Sequence, residues 1–140
     1  MNDCRASQLV NSFIQSCSIC SRLDIELLVM HVLEIDKNIL YRDDPFLTSQ
    51  ELEKIEKLIE RRETGEPLAY LTHNIGFWNL DLYVNRTVLV PRPETEVLVQ
   101  NVLDGFNSER IAVLDLGTGS GAIGISLAKD RPDWLVTCSD

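Results

Sequence analysis

The sequence predicts an α + α/β chain: an N-terminal helical bundle, a β-hairpin, and then the opening strand–helix–strand of an α/β sheet. Three observations carry this reading. Apolar residues recur at helical spacing through roughly the first 65 residues. After Leu68 the period shortens to the alternation of Phe77-Trp78-Asn79-Leu80-Asp81-Leu82-Tyr83-Val84. A short apolar run, Ile111 to Leu116, then enters glycines at alternate positions, Gly117, Gly119 and Gly121, with a helical pattern directly behind them.

Composition bounds the class. At 140 residues, 44% hydrophobic and 25% charged, the chain suits one ordinary domain, or a small domain plus part of another. No apolar stretch approaches the ~20 residues of a membrane helix. The start, Met1-Asn2-Asp3-Cys4-Arg5, shows neither a basic segment leading into an apolar core nor an Arg-rich amphipathic pattern. The expectation is a cytoplasmic, monomeric protein without a membrane partner. A net charge of −9 weighs against direct nucleic-acid binding, which needs clustered Lys and Arg. Arg61-Arg62, at the end of an acidic helix, reads as the complement of a helix C-terminus. Of the four cysteines, Cys17-Ser18-Ile19-Cys20 has C-x-x-C spacing, but no second pair or His cluster completes four zinc ligands. These are read as structural thiols, with no metal site expected.

Each element follows from its local pattern. Leu9, Val10, Phe13 and Ile14 make a helix of Arg5 to Ser16. Ser21-Arg22-Leu23-Asp24 is a variant capping box opening an apolar helix that runs from Ile25 to Ile35, of the kind that sits centrally in a bundle. Asp43-Asp44-Pro45 breaks the chain. Thr48-Ser49-Gln50-Glu51 is a second capping box, for a helix through Arg62 with Leu52, Ile55, Leu58 and Ile59 on one face; Gly65 closes it and Glu66-Pro67 prevents continuation. Residues 77–84 form a short hairpin turning near Asn79, and Val88-Leu89-Val90 adds a short extended piece. A helix starts near Pro93 or Glu94, its apolar face made by Leu98, Val99, Val102, Leu103 and Phe106. A strand Ile111–Leu116, a helix from about Ala122 to Lys129, and a strand Trp134–Cys138 then predict a right-handed crossover and a parallel pair. A parallel pair needs both faces covered, so this half reads as incomplete.

A strand feeding a glycine turn and a helix N-terminus is the usual seat of a nucleotide-like cofactor. Two cofactor classes compete for it. Gly119-Ser120-Gly121-Ala122-Ile123-Gly124 satisfies the dinucleotide pattern, with Asp140 about 20 residues on. Asp115-Leu116-Gly117-Thr118-Gly119-Ser120-Gly121 is also the acidic, alternating-glycine turn of S-adenosylmethionine-dependent methyltransferases. Register favours the second, since the dinucleotide motif puts its first glycine at the strand end and Gly119 lies three residues past Leu116. Charge favours it too: Asp115 repels a pyrophosphate but suits a sulfonium and an ammonium. Asp140 fits ribose hydroxyls in either class. A glycine turn serving only strand–helix packing is the bland alternative.

Upstream, three blocks stand in order with that turn: Arg61-Arg62-Glu63-Thr64-Gly65-Glu66-Pro67-Leu68-Ala69-Tyr70-Leu71-Thr72, then Phe77-Trp78-Asn79-Leu80-Asp81-Leu82, then Val90-Pro91-Arg92-Pro93-Glu94-Thr95-Glu96. Together they resemble the HemK/PrmC family, N5-glutamine methyltransferases of peptide chain release factors, from about Ser21 to Asp140. His73 departs from the pattern, which usually has glycine after Leu-Thr. The resemblance implies a helical substrate-docking domain (1–66), a β-hairpin linker (67–92) and the start of a Rossmann-like methyltransferase domain (93–140). It implies that Gly117, Thr118, Gly119, Ser120 and Gly121 line the methionine and ribose portions of S-adenosylmethionine and that Asp140 takes the ribose hydroxyls. It places Pro91–Glu94 beside the cofactor cleft; Arg92 and Glu94 equally read as capping the following helix. The family's catalytic Asn-Pro-Pro-Tyr occurs nowhere in these 140 residues, so no catalytic residue is assigned and the chain alone is expected to be inactive. A release factor interaction module and an NAD-type oxidoreductase fragment are the competing readings.

Overall fold

The computed structural model describes residues 4–17, 19–106 and 110–140. Met1–Asp3, part of the segment read for a leader, lie outside the described residues. The chain divides into two compact units, Met1–Thr72 and His73–Asp140.

The first unit is helical. A two-residue strand β1 (Cys4–Arg5) leads into α1 (Ala6–Ser16), followed by α2 (Arg22–Leu33), α3 (Lys37–Asp43), a two-residue strand β2 (Phe46–Leu47), α4 (Ser49–Glu63) and α5 (Leu68–Thr72). β1 and β2 pair antiparallel, Cys4 opposite Leu47. Both expected capping boxes form. Ser21 Oγ accepts the Asp24 N–H at 3.1 Å while Asp24 returns a bond to the Ser21 N–H at 3.2 Å. Thr48 Oγ1 and Glu51 do the same, at 3.3 and 2.7 Å. Each box satisfies backbone donors that a helix start otherwise leaves open. α2 is central, with Ile25, Leu28 and Val29 fully buried. Around it pack Leu9 and Val10 of α1, Leu40 of α3, and Ile55 and Ile59 of α4.

The ends of α4 are explicit. Gly65, at φ +90°, sends its N–H to Arg62 O at 2.9 Å, and Glu66 sends its N–H to Arg61 O at 3.3 Å. Arg61 grips the Glu66 carboxylate through two bonds of 2.9 and 2.7 Å, and Arg62 reaches Asp24 at 3.3 Å. The chain's densest basic spot is thus spent inside its own fold.

Two helices here were not foreseen. α3 is too short to show a period, but Asp36 caps it by accepting the Ile39 N–H at 2.9 Å. α5 occupies the start of the stretch read as hairpin linker; its Ala69 and Leu71 are buried, Leu71 in the core of the helical unit.

The second unit opens with the hairpin β3 (Asn74–Phe77) and β4 (Leu80–Tyr83), Phe77 opposite Leu80. Its first strand begins earlier than the alternation suggested, and Trp78-Asn79 is the two-residue turn. Residues 88–90 belong to none of the described strands, and the Val88 N–H closes a turn onto Asn85 O at 3.2 Å. A short 3₁₀ helix (Pro93–Thr95) passes into α6 (Glu96–Gly105). Then come β5 (Ala112–Leu116), α7 (Ala122–Asp130) and β6 (Leu135–Ser139). β5 and β6 pair in parallel, Ala112 opposite Leu135 through Leu116 opposite Ser139. Val99 and Leu103 of α6 and Leu127 of α7 are buried in one cluster with Phe77, Leu82 and Trp134. Leu98 and Phe106, assigned to the apolar face of α6, are instead 49% and 45% exposed.

The Trp78-Asn79 turn is tied to the helices. Trp78 takes φ +56°, a conformation most side chains resist. It is held there by its N–H to Glu96 Oε1 at 2.7 Å and its indole Nε1–H to Asp130 Oδ2 at 2.7 Å. Asn79 adds a bond to Asp130 at 3.2 Å and receives one from Lys129 Nζ at 2.6 Å.

Candidate cofactor site

The glycine turn lies between the end of β5 and the start of α7, beside the last residues of β6. Gly117, Gly119 and Gly121 take φ of +70°, +55° and +78°, the left-handed region that glycine enters at least cost. The alternation in sequence is therefore an alternation in backbone handedness. Gly117 and Thr118 both donate N–H to Ser139 O, at 2.7 and 3.1 Å, which fastens the turn to β6. Gly121 donates to Thr118 O at 2.9 Å and closes the loop on itself. Ser120 lies within that closed loop and is half-buried.

Two carboxylates hold the turn. Asp115 Oδ2 accepts the Thr118 hydroxyl at 2.7 Å and the Gly124 N–H at 3.0 Å. Asp140 Oδ2 accepts the Gly119 N–H at 3.1 Å. The structure thus brings Asp140, 21 positions away, onto the turn that the sequence analysis paired it with. Asp115 does something that analysis missed: it faces its own loop and helix start, bracing them, where it had been read only as a charge for a ligand. The available signal was Gly124. A Cβ there would collide with Cys138 Sγ and press on Asp115 Oδ2 at 3.1 Å, so the fourth glycine is the space in which that brace sits.

Space and charge around the turn fit a cationic ligand. A Cβ built on Gly117 or on Gly119 meets nothing within 4 Å, so the backbone there is open to close approach. No Lys or Arg occurs between Arg110 and Lys129, while Asp115 and Asp140 bear on the turn. β5 ends at Leu116, so Gly119 stands three residues outside the strand, the register that disfavours the dinucleotide pattern.

Arg92 is the N-cap of the 3₁₀ helix without a side-chain cap bond, and Glu94 lies within that helix. It is Glu96 whose carboxylate reaches a neighbour, the Trp78 amide. Among the described residues no three of His, Cys, Asp and Glu gather as a metal site. A cavity of about 160 Å³ in the helical unit has charged walls already paired, Arg22 to Glu26 at 2.7 Å and Ser7 to Asp44 at 2.8 Å.

Comparison with known proteins matches residues 12–72 to the PrmC N-terminal domain. Over these residues the chain is similar to the PrmC family. The likeness continues through the glycine turn. A release factor glutamine methyltransferase of Shewanella oneidensis is 35% identical over 140 residues, covering 98% of this chain and 49% of that protein. The Escherichia coli protein of that name is 40% identical over 120 residues, 85% of this chain and 43% of its own. The one from Thermodesulfovibrio yellowstonii is 42% identical over 112 residues, 78% and 40% respectively. The chain spans about half the length, or less, of these curated relatives. The match runs from within α1 to the end of α5, and the glycine turn lies downstream of it. No helix among the described residues is long and apolar enough to cross a membrane.

Proposed function

We propose that this chain carries the substrate-docking unit and the first half of the cofactor site of an S-adenosylmethionine-dependent methyltransferase that modifies a glutamine side chain in peptide chain release factors. The observation that carries the reading is the left-handed glycine turn, braced by Asp115 and joined by Asp140, in a chain similar along its length to proteins named for that activity. In this reading Gly117, Thr118, Gly119, Ser120 and Gly121 line the methionine and ribose portions of the cofactor, and Asp140 takes the ribose hydroxyls. The cofactor, when bound, supplies an electrophilic methyl group on a sulfonium. Gly117 and Gly119 let the backbone come close to it, Asp115 keeps the turn in shape, and both carboxylates favour its positive charge. The relatives' names point to a release factor as protein substrate, and a substrate of that kind places the action in the cytoplasm. The helical unit is assigned to docking, with Ile19 and Leu23, both exposed, as apolar contacts near the α1–α2 connection.

Because Asn-Pro-Pro-Tyr is absent from the 140 residues, this chain by itself should transfer no methyl group. Incubation with a release factor and methyl-labelled S-adenosylmethionine tests that, and label on a glutamine would overturn it. For the cofactor class, thermal unfolding is compared with S-adenosylhomocysteine and with NAD. A rise with the first supports the proposal, and a rise with NAD alone sinks it. Docking is tested by pull-down of a release factor, which Leu23→Glu should weaken without altering the far-ultraviolet circular dichroism spectrum.

A further inference from the structure

The Cys17–Cys20 pair has no part in the turn just described, and the structure gives it a geometry of its own. Cys17 ends α1, its N–H bonded to Phe13 O at 2.8 Å. Cys20 directly precedes Ser21, the residue that caps α2. Between them, the Cys20 N–H donates to Cys17 Sγ at 2.9 Å. The backbone of the second cysteine is therefore bonded to the sulfur of the first. Both cysteines are unbonded thiols, only 9% exposed, in the helical core. Burial, and next the side-chain hydrogen bond with Cys17, push the Cys20 thiol up to about 12. The Cys20 N–H and the Cys17 sulfur are thus in contact, and the Cys20 thiol is kept protonated.

We propose that Cys17 and Cys20 are a modification site, forming a reversible intrachain disulfide by exchange with a small disulfide–thiol couple such as glutathione. The Cys17 thiolate attacks one sulfur of oxidised glutathione and expels one glutathione thiolate, leaving a mixed disulfide on Cys17. Cys20 gives its proton to that expelled thiolate and attacks the Cys17 sulfur, expelling the second glutathione. Two cysteine thiols are oxidised and one glutathione disulfide is reduced to two thiols, so electrons and protons balance. The closed loop is short, and a short loop removes little entropy from the unfolded chain, which puts the bond at the easily reduced end of the range. Its effect is local: it ties the end of α1 to the residue before the cap of α2.

The test uses the whole chain, folded, in a series of oxidised to reduced glutathione ratios. Samples are acid-quenched, alkylated and digested with trypsin. The tryptic peptide from Ala6 to Arg22 contains Cys17 and Cys20 and neither Cys4 nor Cys138. Under oxidation it should escape alkylation and be lighter by two hydrogens, and dithiothreitol should restore it. A Cys4→Ser/Cys138→Ser variant should behave identically, and Cys17→Ser should leave Cys20 fully alkylated. Cys4 packs against the same cluster and is the rival partner, so a bond from Cys4 to either cysteine overturns the assignment. Full alkylation of both thiols in excess oxidised glutathione, or oxidation only after denaturant is added, overturns it as well.

Discussion

The helical unit and the α/β unit hold similar apolar residues but cover them to different extents. In residues 1–72 each described helix contributes apolar residues to one cluster, and Leu28 of α2 has no exposed surface left. In residues 73–140 the strands β5 and β6 are packed on one side only. Val113 and Val136 join the cluster of Phe77, Val99 and Trp134, while Leu114, Leu116 and Leu135, on the alternate positions, remain 59%, 72% and 69% exposed. A parallel pair is normally covered on both faces. Apolar content and buried content are thus different quantities, and only the second stabilises a fold. The same residue type contributes strongly in α2 and hardly at all on the open face of the sheet.

The largest effect should come from testing that contrast head-on. Leu28→Ala should cost about 2–5 kcal/mol by urea unfolding, because it leaves a cavity in a filled core. Leu116→Ala should stay within about 0.5 kcal/mol of the parent. Equal losses at the two positions would break the comparison.

A smaller loss is expected where Gly124 lies against Cys138 and Asp115. Gly124→Ala forces a Cβ onto Cys138 Sγ and Asp115 Oδ2 and should cost about 1–3 kcal/mol in thermal unfolding. Adding Cys138→Ala should return part of that cost, and a strictly additive pair would show that the two sites do not touch.

Next is the cap of α4. Thr48→Ala should cost about 1 kcal/mol. Glu51 in that capping box is held below its ordinary value of 4.5, first by the Thr48 hydroxyl and then by the Thr48 N–H. A lowered carboxyl contributes stability that is fully present above the unfolded value and is lost as pH falls through the folded one. Acidifying below about 4.5 should therefore loosen the parent more steeply than Thr48→Ala, and parallel pH curves would remove the cap from the account.

The smallest effect belongs to His73. It takes φ +55°, where the related pattern prefers glycine, and its ring stacks on Tyr83 at 5.5 Å and reaches Val84 O at 3.3 Å. His73→Gly relieves the backbone but loses both contacts and adds freedom to the unfolded chain. The change in stability should be under about 1 kcal/mol, and a larger gain would mean the contacts carry little.

The long helices, both capping boxes, the hairpin and the parallel pair were legible because each leaves a local mark: a period, a cap residue three positions from its acidic partner, or a strand ending in glycines. α3 was illegible because seven residues show no period and its cap, Asp36, is a single residue. α5 was hidden by Pro67, which reads as a stop for α4 but also suits a helix start. At the turn, the positions of Gly117 to Gly121 and of Asp140 were readable from spacing. The inward aim of Asp115 was not, because the direction of a side chain at a strand end depends on what the next helix leaves open, and that is Gly124.

Both tryptophans of the chain, Trp78 and Trp134, fall in the α/β unit, and the helical unit has none. The indole of Trp78 donates to Asp130, and Trp134 is buried beside Arg131. Emission excited in the indole band therefore reports the hairpin junction and the floor of the sheet alone. The ellipticity of helices is weighted toward residues 1–72. A single sample observed in both ways during unfolding records the two units separately, with no label added.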